Sequence, residues 1–187
     1  MRNSSTGAFA SFSEISSQMP FRIRSVGYAG LSPERKIPPR VLNSVELFWC
    51  LKGSCRFAFP EGESILRPGE VCYYLPGDTH LLQIGEEGFT YRWVAFEGPQ
   101  ALNFWQGFRL ERTPHYAGEC PEELFEKLIA EVRKPDDHAI LQSLSLGIKL
   151  LVESVEKVRR GEKSVRSDHA EIGRAHVLNS SHDQTSY

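Results

Sequence analysis

A histidine stands at the end of a double turn in Leu66–His80, LRPGEVCYYLPGDTH, where Pro68-Gly69 and Pro76-Gly77 bracket a short apolar run. Pro presets φ for one central position of a turn, and Gly tolerates φ > 0 at the next. Val71 to Leu75 reads as a strand between the turns, and Asp78 and Thr79 extend the second break. His80 then emerges at the start of the following strand. This is how a small β-barrel aims a polar side chain into its mouth, where it can touch a ligand or join a metal set. The bland alternative is two glycine-containing turns with an incidental histidine. A second stretch with chemical potential is Tyr91-Arg92-Trp93-Val94-Ala95-Phe96. In a strand, Tyr91, Trp93 and Ala95 share one face, and Arg92, Val94 and Phe96 the other. Two aromatics beside a small residue suit a cavity wall, because aromatic rings accommodate the apolar faces of small polar molecules. Plain core packing would use the same alternation.

Elements that could position these groups recur every eight to twelve residues. Residues 1–20 are Ser-rich and read as a disordered arm. Phe21 to Val26 alternates as a first strand. Val45 to Leu51 is a strong strand, Lys52-Gly53-Ser54 a hairpin turn, and Cys55 to Phe59 the returning strand. Ser64 to Arg67, then Leu81 to Ile84, then Phe89 to Phe96 after a Gly85–Gly88 turn complete the β region, a barrel or sandwich over residues 21–97. After Gly98 the pattern turns helical: a short helix from Pro99 to Gly107, then a second from Pro121 to Pro135. The second carries Leu124, Phe125, Leu128, Ile129 and Val132 on one face, with Glu122 and Glu123 complementing its N-terminal dipole. A third helix spans about His138 to Arg160. Its Leu141, Leu144, Ile148, Leu151, Val155 and Val158 are spaced 3, 4, 3, 4, 3, the a/d rhythm of a dimerisation seam. Ile140, Leu150 and Val152 broaden the stripe, so one surface can cover the domain while the other meets a second copy.

Size and composition narrow the classes. The 187 residues, 40% of them hydrophobic, suit one domain with a real core. A formal net charge of −2 argues against a dedicated nucleic-acid surface. No apolar run approaches the roughly 20 residues of a membrane span. The first twenty residues lack a continuous apolar segment of the signal-peptide kind, which points to a cytoplasmic protein. Cys50, Cys55, Cys72 and Cys120 match no zinc spacing and read as reduced, mostly buried thiols.

The Leu66–His80 segment resembles the second motif of the cupin superfamily, with Gly69, Gly77 and His80 at the family spacing and Leu75 where a proline is usual. The larger order resembles the effector-binding and dimerisation domain of AraC-type transcription regulators. Leu51-Lys52-Gly53, Arg67-Pro68-Gly69-Glu70 through Pro76-Gly77-Asp78-Thr79-His80, the aromatic strand, and Gly98-Pro99-Gln100-Ala101 all occur in that family's order, over about residues 21–160. The resemblance implies a mainly β fold with C-terminal helices: a cupin-like barrel (a double-stranded β-helix, or jelly roll), then a short helix and two longer antiparallel helices at 98–160. It also implies a ligand pocket with Arg40 as a polar clamp, His80 or Leu82 at the mouth, and Tyr91 and Trp93 on the wall. Arg can fork two hydrogen bonds to hydroxyls or a carboxylate, and Trp can stack on a sugar face. Leu82 stands where the arabinose-binding member has a polar or aromatic contact, which argues against that particular sugar.

Cupin enzymes are the rival reading, as a stand-alone protein binding or transforming a small molecule. Their first motif supplies two histidines and a glutamate, yet Val45 to Leu51 has no histidine, and Ile84 replaces the Asn usual after the second-motif histidine. One His with Glu46 falls short of the three or four ligands that iron, manganese or zinc requires, and no nucleophile-base pair is apparent. The sequence therefore points to a small-molecule sensor that is not an enzyme and carries no cofactor or metal. Its expected partners are a small effector (a sugar among the candidates), a second copy of itself, and DNA only through a further C-terminal domain. Residues 161–170 read as a charged linker. From Glu171 on, EIGRAHVLNSSH resembles a translated sequencing-library adapter. The expectation is a gene fragment cut short before its DNA-binding domain, with a non-native tail at 171–187 in which His176 and His182 carry no chemistry.

Overall fold

The computed structural model describes residues 3–11 and 14–182, with side chains to residue 161. Its strands are β1 (Ser4–Phe9), β2 (Arg22–Leu31), β3 (Arg40–Val41), β4 (Val45–Phe59), β5 (Gly62–Leu66), β6 (Glu70–Tyr74), β7 (Thr79–His80), β8 (Leu82–Glu97) and β9 (His115–Tyr116). Its helices are α1 (Glu14–Gln18), α2 (Ala101–Gln106), α3 (Glu122–Val132) and α4 (Asp137–His182). One antiparallel sheet runs in the order β1-β2-β8-β4-β6-β9, with β5 added to β4, and β3 pairs with β7 apart from it. The expected architecture, mainly antiparallel β with C-terminal helices, is the one observed.

Alternation along the central strands builds two cores. Leu47 and Trp49 of β4, Val94 and Phe96 of β8, and Tyr73 of β6 pack outward beneath Phe125 and Leu128 of α3 and Leu150 and Leu151 of α4. Phe48 and Phe57 of β4, Phe89 and Tyr91 of β8, and Tyr74 of β6 pack inward. Each fully buried side chain of this size stabilises the fold by about 1.5–3 kcal/mol, and period-two alternation delivers one to each core at every step.

The two predicted hairpins inside β4 and β8 are absent. Instead β4 and β8 are single long strands paired from Val45↔Phe96 to Phe57↔Leu82, with register shifts at Cys50/Lys52 and Gly53/Cys55. Gly53 and Gly88 both have positive φ, 72° and 83°. A Cβ on Gly53 would lie 2.1 Å from the Gly88 carbonyl oxygen. The glycines read as turn signals thus form facing irregularities that bend a continuous ribbon.

The arm expected to be disordered forms a strand instead. β1 pairs with β2 from Ser4↔Gly30 to Phe9↔Ser25. The physical reason is the free edge of β2, whose backbone groups any short polar strand can satisfy. Ala8 is buried there, and α1 follows with Ser16 buried.

The helical expectations hold for α2 and α3. Leu124, Phe125, Leu128, Ile129 and Val132 are all buried on α3. On β8, Arg92 reaches Glu122 at 2.9 Å and Glu126 at 2.7 Å, and lies over the Tyr28 ring, tying α3 to the sheet.

The dimerisation seam needs correction along α4. Leu151, Val155 and Val158 are at most 3% exposed, buried within their own domain. Leu144 and Ile148 are half-buried, and Leu141 is 51% exposed. A straight helix turns about 20° per heptad against a 3.5-residue repeat, so a line that starts at the surface rotates into the core. The uncovered apolar line runs instead through Leu141, Leu144, Ile148 and Val152. The helix also continues through 161–170, where a linker was expected, and into the expected tail as far as His182. Strong helix formers such as Glu162, Lys163 and Arg166 suit that continuation. Residues 183–187 of the expected tail lie outside the described residues.

Candidate functional site

The inward face of the sheet borders a half-open cavity of about 400 Å³ between the arm strand β1, the inner faces of β2, β4 and β8, and the β3–β7 pair. Four of the five sequence-predicted ligand residues, Arg40, His80, Tyr91 and Trp93, line it. Broader grooves along α4, such as the one of about 600 Å³ beside Glu122, Lys127 and Lys149, hold none of them.

Backbone pairing brings Arg40 and His80 together as cross-strand partners in β3 and β7. The turn that delivers His80 is fixed from several sides. Gly77 has φ 92°, and its N–H donates to the Leu42 carbonyl at 2.8 Å, while the Leu42 N–H donates to the Asp78 carbonyl at 3.0 Å. The Asp78 carboxylate accepts the Leu75 N–H at 2.6 Å and is paired with Arg112. The Pro-Gly-Asp-Thr-His sequence therefore works as a rigid bracket for one imidazole.

His80 is 3% exposed and sits 5.7 Å from the Phe48 ring and 5.5 Å from the Tyr74 ring. Burial, helped by the neighbouring Arg40 charge, pushes its pKa down to about 4, so the ring is neutral at pH 7. Its Nδ1 is buried with no hydrogen-bond partner among the described residues. Opposite, Arg40 lies 3.6 Å from the Glu46 carboxylate. Burial raises the pKa of Glu46, and Arg40 and Ser44 oppose that rise. Ser44 Oγ donates to Glu46 Oε1 at 3.4 Å.

The aromatic wall follows from the phase of β8. Tyr91 lies 5.7 Å from Phe48 and 5.9 Å from Trp93. Trp93 lies across the arm: a Cβ on Gly27 would fall 2.4 Å from its ring, and one on Gly7 2.9 Å. Two glycines in adjacent strands thus make room for one indole, and that indole contacts the arm and lines the cavity.

Leu82 is a correction. It is 4% exposed, belongs to the inward core, and faces a separate groove beside Pro33 and Ile37 rather than the cavity. At the start of β8 it falls out of reach of the cavity. Glu46, Phe48, Arg24 and Arg35, not expected there from the sequence, also line the cavity. Glu46 carried a visible signal, a lone carboxylate inside the apolar run Val45–Leu51 and in phase with Phe48. Arg24 and Arg35 carried none, because exposed strand and loop arginines are ordinary surface residues.

Among the described residues no group of three His, Cys, Asp or Glu side chains converges as a metal site. Burial pushes the Cys50 and Cys55 thiols up to about 12 and Cys72 well above its ordinary value. Protonated at neutral pH, they are weak nucleophiles. The site can therefore hold a small molecule between rings and fork hydrogen bonds to it, with a neutral imidazole and a buried carboxyl at its side.

Comparison with known families decides the assignment. The family model described as AraC-like ligand binding domain matches residues 23–170. The chain belongs to this family. The match takes in the barrel, α2, α3 and much of α4 of this AraC-like domain, and begins after β1. No curated protein matches the chain. Among solved structures, the protein YhaK from Escherichia coli is 17% identical with a TM-score of 0.42, covering 53% of this chain and 46% of its own. A cupin superfamily protein from Desulfitobacterium hafniense DCB-2 is 13% identical with a TM-score of 0.39, over 50% of this chain and 78% of its own. A variant of the oxalate decarboxylase OxdC from Bacillus subtilis is 18% identical with a TM-score of 0.38, over 52% of this chain and 26% of its own. The chain thus spans less than half of YhaK. No helix among the described residues is long and apolar enough to cross a membrane.

Proposed function

We propose that this AraC-like domain senses a small cytoplasmic effector for a transcription regulator, and that it binds its ligand without transforming it. One observation carries the reading: a cavity of about 400 Å³ whose wall joins Tyr91, Trp93 and Phe48 to the polar set Arg40, Glu46 and His80, with the arm strand lying across it. Its volume falls in the usual range for small-molecule sites. Polar groups that are few and rigidly placed suit orientation of a ligand. The neutral His80, unsupported by any acid partner among the described residues, does not make a proton-transfer pair.

The signal is a population shift. Trp93 belongs at once to the cavity and to the surface on which β1 lies, so an occupant in contact with the indole changes the free energy of arm docking. Tenfold tighter binding to one arm arrangement biases that equilibrium by about 1.4 kcal/mol. The readout is a homodimer through the uncovered line of α4, which presents DNA-binding parts of the regulator lying outside this domain.

The test is calorimetric titration of the whole chain with a panel of small sugars and organic acids, in wild type and Trp93→Ala. Binding by at least one compound, weakened by Trp93→Ala, is the expected result. Binding that ignores Trp93→Ala, or a compound consumed on incubation with the protein, would overturn the reading.

A further inference from the structure

The charges around the cavity are unbalanced. Arg24, Arg35 and Arg40 line it, against the single carboxylate of Glu46. Arg40 stands 3.6 Å from Glu46, beyond hydrogen-bonding distance, and its side chain is 61% exposed. Most of its five N–H donors are therefore available to something else. Arg24 and Arg35 are exposed, and among the described residues neither has an ion-pair partner. Phe48, Tyr91 and Trp93 present their rings to the cavity, and Ser5, Ser25 and Asn43 also line it.

Given that this cavity is the binding site, as proposed above, we infer that the effector is a small organic anion: a carboxylate on a flat apolar body, not a neutral sugar. The guanidinium fork matches a carboxylate in geometry as well as charge. A flat ring body can stack on Phe48, Tyr91 and Trp93, whose faces favour apolar surface over hydroxyls. The three arginines would also draw anions toward the mouth before contact is made. A hydroxyl on the body would give the buried His80 Nδ1 the partner it otherwise lacks.

The experiment compares three probes on the full chain by tryptophan fluorescence: 4-hydroxybenzoate, its neutral isostere 4-hydroxybenzamide, and arabinose. The acid should bind at least about tenfold more tightly than the amide. That preference should fall toward one in Arg40→Gln, shrink in Arg24→Gln, and weaken between about 50 mM and about 500 mM salt. Both arginines are solvent-exposed, so both variants should fold. Equal binding of acid and amide, or arabinose binding better than the acid, would overturn the anion inference and leave the sensing role intact. Failure of all three probes while a neutral compound binds through Trp93 would do the same. Binding that ignores Trp93→Ala strikes at the sensing role itself.

Discussion

At the scale of single residues, His80 and Glu46 are opposite cases of one effect. Burial disfavours the charged form of each, so the imidazole pKa falls to about 4 and the carboxyl pKa rises. Their consequences for stability have opposite signs. Between its unfolded value near 6.5 and about 4, His80 binds more protons unfolded than folded, so its contribution is present above that window and lost as pH falls through it. The loss is on the order of 3 kcal/mol. Glu46 is more protonated in the folded protein, so its contribution is present at low pH and lost as pH rises through its raised value. NMR should accordingly place the His80 titration near pH 4, and His80→Gln should flatten the acid limb of urea-denaturation stability between pH 6.5 and 4. A midpoint near 6.5 would show the ring to be solvated. Glu46→Gln should raise the melting temperature at pH 7, because a neutral amide replaces a partly desolvated charge. A fall would mean that the Arg40 pair outweighs the desolvation.

At the scale of elements, the sequence showed the alternation and helical stripes clearly, but not which glycine turns reverse the chain. In Tyr91–Phe96 the alternation alone assigned both faces, and Tyr91 and Trp93 lie where that phase puts them. Gly53 and Gly88 were illegible as bends because a bulge and a hairpin both call for positive φ. The difference lies in the partner strand, which local sequence does not contain. β1 was hidden for the same reason, since its stability comes from the edge of β2 and not from its own composition. Resemblance put Leu82 at the cavity mouth, where it does not lie, whereas Arg40 and His80, named on the same ground, do line the cavity. Gly27→Ala tests the arm: its Cβ would stand 2.4 Å from the Trp93 ring and 2.6 Å from the Thr6 carbonyl oxygen. The variant should undock β1 and speed proteolysis within residues 3–11, at a cost of about 1–3 kcal/mol, whereas unchanged cleavage would place the arm elsewhere in solution. Arg92 tests the α3 junction. Its partners Glu122 and Glu126 are more than half exposed while Arg92 is buried. Glu122→Gln with Glu126→Gln should therefore cost more than Arg92→Met, since only the former leaves a buried charge unpaired. Equal losses in thermal melts would mean the guanidinium is hydrated.

At the scale of the whole molecule, a cavity, an arm strand and a long helix share one body. Trp93 contacts the arm from β8, and on the opposite face of that strand Arg92 holds α3, which packs on α4. Occupancy of the cavity and presentation of α4 are thus separated by a single strand. Leu144 and Val152, on the uncovered line of α4, are the positions at which the proposed pairing with a second copy is tested without damaging the core. Replacing both with Glu should give a folded monomer by light scattering and circular dichroism. Unfolding of that variant, or a wild type monomeric at high concentration, would confine the stripe to one chain. A small molecule bound in the proposed site lies against Trp93. The chain has three tryptophans, of which Trp49 and Trp105 lie in the outward core. Fluorine NMR of 5-fluorotryptophan-labelled protein, with Trp93→Phe to assign the signal, reads each indole separately as the carboxylate and sugar probes are added. The Trp93 resonance should shift first and saturably while Trp49 and Trp105 hold still; a saturable shift of Trp49 or Trp105 with Trp93 unmoved would contradict binding at this cavity.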